Sequence, residues 1–204
     1  ALMSTWTTSD IRFGLHYDMH VRREDTEPGT RGDADYLAEL FRRLRVDFVQ
    51  ADCKGHPGYT SWFSRSIPES VPPGLAADQL AIWREASRRV GIPVHCHYSG
   101  VFEARAAELN PDWRVVTVSD EIPTDPNGQN AGAPPDVVLC PRSPYADEYM
   151  IPQLLELIDR YEVDGFWIDG DLWAVRPCYC ERCVSEFRAR TGIDEPPRAE
   201  SDQH

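Results

Sequence analysis

Short apolar runs alternate along this chain with longer stretches in which apolar residues recur every three or four positions, the two periods of strands and helices. Ile11 to Tyr17 reads as a strand. The segment from Asp33 to Arg45 reads as the helix after it, with Tyr36, Leu37, Leu40, Phe41 and Leu44 on helical spacing. Val46 to Ala51 forms a second strand that ends at Asp52, and Ala76 to Val90 a second helix carrying Leu80, Ile82, Trp83 and Val90. Gly91 stops that helix and opens a third strand, Ile92 to Tyr98. The Pro-, Gly- and Asn-rich passage from Asn110 to Pro144 is expected to hold a short hairpin around Arg114 to Val118 and an exposed loop at DPNGQNAGAPP. A helix from Pro144 to Tyr161 leads into Gly165, Phe166, Trp167 and Ile168, an aromatic and β-branched run of the kind buried on both faces of a parallel sheet. Cys178 to Thr191 supplies a fourth helix, ended by Gly192.

Strands that alternate with helices at this spacing predict an α/β fold with a parallel sheet and right-handed crossovers. Four βα units are visible, whereas a closed (β/α)8 TIM barrel takes roughly 250 residues. The expectation is therefore the N-terminal half of such a barrel over residues 1–195, with 196–204 as a disordered tail or break. An open doubly wound sheet is the competing architecture. No glycine-rich phosphate turn follows the first strand, which weakens its dinucleotide-binding version.

Composition narrows the choice of partners. A 204-residue chain with 41% hydrophobic residues can bury a core, and it has no apolar run long enough to cross a membrane. The start, ALMSTWTTSD, shows neither the basic nor the apolar region of a signal peptide, so a cytoplasmic location is expected. A net charge of -13 repels phosphate backbones and anionic lipid, leaving neutral ligands such as sugars. The six cysteines are too unevenly spaced for a disulfide scaffold, but Cys178, Cys180 and Cys183 crowd together and can converge on one metal ion or remain free thiols. Lys54 is the only lysine, against twenty arginines, and lies in a cluster of His, Gly and aromatic residues.

Polar residues gather where the strands end. His16, Asp18 and His20 follow the first, Asp52, Lys54 and His56 the second, His95, His97 and Tyr98 the third, and Asp169 and Asp171 the fourth. The carboxyl ends of barrel strands are where catalytic side chains collect. A carboxylate beside Trp167 and Trp173 is costly unless it has a role, although either acid can instead cap the next turn. Positions i and i+2 share a strand face, so His95 and His97 point together.

Four segments, RFGLHYDMH, ADCKGHPGYTSW, VHCHYSG and QLLELIDRYEVDGFWIDGD, resemble retaining glycoside hydrolases of family 29, the α-L-fucosidases. The resemblance implies Asp169 as the nucleophile, His16, Lys54, His56 and Tyr98 as sugar contacts, and Trp62 as a stacking wall. Gly55 and Pro57 interrupt the family's paired histidines. LCPRSPYADEY and CYCERCVSEFRARTG are similar to family 42 β-galactosidases, which implies Asp171 as a proton donor and Cys140 as a fourth ligand to a structural zinc with Cys178, Cys180 and Cys183. Together these place the chain near a hypothetical glycosyl hydrolase group between the two families.

Retention requires a second carboxyl roughly 5 to 5.5 Å from the nucleophile. Asp171 and Glu103 are the candidates within the chain, and the missing half of a barrel is the usual place for one. Lys54 is expected beside Asp169, holding it ionised. Asp18, His20, His97, Trp167 and Trp173 complete the expected sugar-binding set. Two further readings stay open: a carbohydrate-binding half-barrel without catalysis, and a metal-dependent hydrolase with His16, Asp18, His20, His95 and His97 as ligands. Pairing as a homo-oligomer is one way to complete the barrel.

Overall fold

Side-chain caps set most helix boundaries. In the computed structural model, which describes residues 11–118, 137–170 and 177–198, α1 spans Ala34–Leu44, and the Asp33 carboxylate accepts the Asp35 and Tyr36 N–H groups at its start. Arg45 ends it in the left-handed conformation, and the Val46 N–H turns back to the Phe41 carbonyl. That turn consumes Val46, so β2 begins at Phe48 and runs on to Lys54, three residues past the expected end. Asp78 caps α2 (Gln79–Val90), which trims its expected start, and Gly91 closes it at φ 77°.

β1 (Gly14–Tyr17), β2 (Phe48–Lys54), β3 (Val94–Ser99) and β4 (Gly165–Asp169) form one parallel sheet in the order β1-β2-β3-β4. The chain thus has the four-stranded parallel α/β arrangement of a partial barrel. Alternation divides the sheet into two faces. Val49, Ala51, Cys53, Val94, Cys96 and Tyr98 pack with Phe41, Leu80, Trp83 and Leu157 from the helices into the main core. His16, Gln50, Asp52, His95, His97, Trp167 and Asp169 take the alternate positions and so share the opposite face. At the β4 edge of that face Trp167 is 54% exposed.

The passage after β3 departs from the expected hairpin. Residues 114–118 do not fold on themselves: Val138 and Leu139 run between Phe102 and Arg114 in antiparallel bridges, with Val115 N–H on the Val138 carbonyl and Cys140 N–H on the Trp113 carbonyl. A short helix that the sequence pattern does not announce, α3 (Ala104–Leu109), follows β3. The exposed loop expected at DPNGQNAGAPP lies outside the described residues. Ala146–Met150 winds as one π-type turn into α4 (Ile151–Tyr161), and α5 spans Glu181–Thr191.

A buried polar network ties these parts together beneath the strand ends. Lys54 and Glu103 form an ion pair with both side chains at 0% exposure. The ammonium also reaches the Ser99 carbonyl at 3.4 Å and the Tyr145 hydroxyl at 3.3 Å, and sits 4.2 Å from the centroid of the Tyr98 ring. Burial pushes the Lys54 pKa well below its usual 10.5. Tyr98 donates to Gln153 Oε1 at 2.5 Å, and Gln153 Nε2 donates to Ser70 at 2.8 Å, which links β3 to α4 and the loop after β2. One turn further along the same face of α4, Glu156 accepts the Arg65 and Ser66 N–H groups and the Ser66 hydroxyl. Burial alone would raise its pKa, but those donors and Arg160 overcome it and bring the value down to about 2. Among the described residues, no helix is long and apolar enough to cross a membrane.

Two stability effects follow. Lys54→Met strands the Glu103 carboxylate in a dry pocket and is expected to cost about 3–5 kcal/mol in urea unfolding at neutral pH. Lys54→Met with Glu103→Leu should recover most of that loss. Glu156 has its folded pKa depressed, so its contribution is complete above its ordinary 4.5 and fades as pH falls through about 2. In Glu156→Gln, thermal melts should show a lower Tm at neutral pH and a flatter fall between those two values.

Candidate active site

The functional cluster follows from sheet register. Asp52 on β2 stands opposite His97 on β3, His97 opposite Trp167 on β4, and Ser99 opposite Asp169. His97 Nδ1 lies 2.8 Å from Asp52 Oδ1, and His97 Nε2 lies 3.2 Å from Asp169 Oδ2. Burial disfavours a charged His97 ring, but the bond to Asp52, the Asp52 charge and then Asp169 outweigh it and raise the pKa above 6.5. A second imidazole approaches the same carboxylate oxygen, with His56 Nε2 at 3.8 Å from Asp169 Oδ2. Ser99 donates to the Phe102 carbonyl at 2.5 Å, so its oxygen accepts from His56 Nδ1–H at 2.7 Å. That arrangement turns Nε2 of His56 towards Asp169.

Rings on β1 and in the turn after it complete the wall. His16 meets the His97 ring edge-on at 5.7 Å and lies 6.0 Å from Trp167, while His20 stacks on His97 at 5.7 Å with 6° between planes and lies 5.2 Å from His56. His20 Nε2 is held by Asp18 at 3.0 Å. The structure therefore gathers Asp169, His16, His20, His56, His97 and Trp167, with Asp18 at the rim. Asp171 and Trp173 lie outside the described residues.

Five expected positions fall elsewhere. Lys54 pairs with Glu103 instead of Asp169, because the bulge between Asp52 and Lys54 turns it into the buried network; imidazoles take its expected place beside Asp169. Glu103 is fully buried and accepts from Ala106 N–H as the cap of α3, which removes it as a solvent-facing proton donor. Gly58, at φ 84°, packs over that carboxylate, where any β-carbon would collide with Glu103 Oε1. Trp62 and Tyr98 are buried in the helix-side core and form no wall of the histidine cluster. His95 shares the inner face with His97 but packs against Phe48 and Gly165 deeper in the sheet, and burial lowers its pKa. Ser99, which sequence reasoning did not include, and Asp52, which it named at the end of the second strand without giving it a role, are central to the site. The signal for Asp52 was the alignment of ADCK with VHCH in neighbouring strands, which becomes visible only once register is known.

His20, Asp52 and His97 offer donor atoms within 4.8 Å of one another. Their donors are already committed to carboxylate hydrogen bonds, and the two rings lie parallel instead of converging, so the arrangement is that of a hydrogen-bonded cluster. The cysteines converge differently. Cys140, Cys178, Cys180 and Cys183 bring four sulfurs within 4.8 Å of one another, with Cys140 Sγ at 3.8 Å from Cys180 and 3.4 Å from Cys183. Four thiolates at about 2.3 Å from one tetrahedral ion stand about 3.8 Å apart, so this set fits a metal. The bond from Cys140 and the Val116 and Cys180 N–H groups draw the Cys178 thiol down to about 5. Any ion there would join α5 to the 137–140 segment.

Comparison with known proteins places this geometry. The model of the hypothetical glycosyl hydrolase 6 family matches residues 33–170. An α-L-fucosidase of Dictyostelium discoideum is 23% identical over 141 residues, covering 68% of this chain and 26% of that protein. The structure of α-L-fucosidase isoenzyme 2 from Paenibacillus thiaminolyticus superposes with a TM-score of 0.74 at 23% identity, over 93% of this chain and 27% of that one. A hypothetical protein from Ruminiclostridium thermocellum shares the fold with a TM-score of 0.58 at 14% identity, covering 88% of this chain and 90% of its own. The chain thus spans about a quarter of the length of the fucosidases it matches, and the structural likenesses speak for the fold alone. Because the family match runs through β2 and β3 and past the Asp169 tip of β4, the chain belongs to the hypothetical glycosyl hydrolase 6 family.

Proposed function

We propose that the chain forms the first four βα units of a (β/α)8 barrel that hydrolyses a terminal sugar, α-L-fucoside-like or β-galactoside-like, with retention and with Asp169 as the nucleophile. The observation that carries this reading is the Asp169 carboxylate at the carboxyl end of β4, faced by His97 at 3.2 Å and His56 at 3.8 Å and bordered by the exposed Trp167 ring. One oxygen of Asp169 accepts from His97 Nε2 and the other attacks the anomeric carbon, forming a glycosyl ester that water then cleaves. His16, His20 and His56 serve sugar hydroxyls, and Trp167 covers the apolar face of the ring. The proton donor comes from Asp171 or from a strand beyond these four, since Glu103 is sealed by Lys54.

Asp169→Asn in the natural full chain is expected to lower kcat/KM on aryl α-L-fucosides or β-galactosides by about 10⁴-fold or more. Asp169→Gly with added azide should regain turnover and release a glycosyl azide, because the anion takes the vacated position. Wild-type rates in Asp169→Asn would rule out this nucleophile, and a full chain that binds sugar but cleaves no glycoside would favour the carbohydrate-binding reading.

The cysteine cluster, in the same proposal, holds one structural zinc. Four thiolates leave no open coordination position, so the ion joins α5 to the 137–140 segment and contributes no chemistry. Purified protein should carry about one zinc per chain by elemental analysis. Chelation or Cys140→Ser should lower the Tm while wild-type protein that retains zinc is unaffected.

A further inference from the structure

Asp52 is a buried carboxylate that the proposed reaction does not itself use. Its side chain is 1% exposed, and its two oxygens accept from separate elements: Oδ1 from His97 Nδ1 at 2.8 Å, and Oδ2 from the Met19 N–H at 3.0 Å. The second bond fixes the turn that brings His20 against the His97 ring. The first determines which nitrogen of His97 carries a proton, since a carboxylate acceptor at Nδ1 requires N–H there. Nε2, at 3.2 Å from Asp169 Oδ2, then presents a lone pair if the ring is neutral and a donor only if it is protonated at both nitrogens.

We infer that Asp52 is a positioning residue for Asp169: by holding His97 as a doubly protonated ring, it makes Nε2–H the donor that orients the attacking carboxylate. The inference rests on the glycosidase reading for its purpose, and on the geometry of three side chains for its substance. The two carboxylates that flank His97 carry this assignment. Asp52 from β2 and Asp169 from β4 flank its two nitrogens, His16 and His20 from the β1 side meet its edge and its face, and Trp167 stands edge-on at 6.2 Å. The raised His97 pKa has the matching sign. The Nε2 proton is present below that pKa, and as pH rises through it the ring loses the proton, the bond to Asp169 breaks and the two lone pairs oppose each other. The alkaline limb of catalysis is therefore set by His97.

The test has a spectroscopic arm and a kinetic arm, both on the natural full chain. In long-range ¹H–¹⁵N NMR spectra, His97 of the wild type should show two protonated ring nitrogens at neutral pH, and in Asp52→Asn it should revert to a neutral ring whose titration moves to lower pH. In kinetics, Asp52→Asn should lose about tenfold or more in kcat/KM at neutral pH, the scale expected when a carboxylate that orients an imidazole is removed, and the alkaline limb should shift to lower pH. A neutral wild-type His97, an unchanged titration in Asp52→Asn, or displacement of the Nδ1 proton by one equivalent of added zinc would each overturn the inference. If Asp52→Asn fails to fold, the wild-type titration decides alone. If Asp169→Asn leaves glycoside cleavage untouched while the His97 signature is present, the nucleophile reading fails and the Asp52–His97 assignment stands.

Discussion

Parallel register between β2, β3 and β4 is the constraint from which the site follows. Asp52, His97 and Trp167 occupy one rung across three strands, and Ser99 and Asp169 the next, so side chains more than forty residues apart meet without any loop having to place them. A parallel sheet brings all its carboxyl ends to one rim, which concentrates polar groups there and leaves the opposite face for the helices. Here that separation is sharp. Val49, Ala51, Val94 and Cys96 bury themselves under α1 and α2, and the alternate positions on the same strands carry His, Asp and Gln. A face this polar is unlike the branched apolar layers that fill most barrels.

Beneath the rim, a second principle holds the loops. A lone ammonium and a lone carboxylate at zero exposure are each costly to bury, so Lys54 and Glu103 bind the β2 bulge to the start of α3, with aromatic rings of Tyr98 and Tyr145 enclosing them. Gly58 packs over the Glu103 carboxylate, and the turn that it closes with Gly55 carries His56 to 3.8 Å from Asp169. Rigid placement of the imidazoles is what lets a hydrogen-bonded carboxylate act with a fixed orientation. The cysteine cluster gathers residues of α5, its N-terminal approach and the 137–140 segment into one packed group with Phe102 and Val138.

Much of the architecture was legible from the chain alone. Helix and strand periods gave four βα units, and Asp33, Gly91 and Gly192 marked helix ends correctly because capping is a local property of a few residues. The aromatic run before Asp169 announced the fourth strand, and the crowding of Cys178, Cys180 and Cys183 announced a convergent sulfur site. The hairpin expected at Arg114 to Val118 failed because that segment pairs with Val138 and Leu139, a partner some twenty residues away that no local pattern identifies.

Sequence by itself determined which residue types stand at strand ends, since alternation and spacing are written in the order of the chain. Tertiary structure alone decided which of them face one another. Lys54 looked like the companion of Asp169 until one bulge in β2 turned it into the core, and Asp52 looked like a plain strand terminus until register set it against His97. The physical reason is common to both cases: a shift of one position reverses the face a side chain occupies, and register between strands is fixed by packing across the whole sheet.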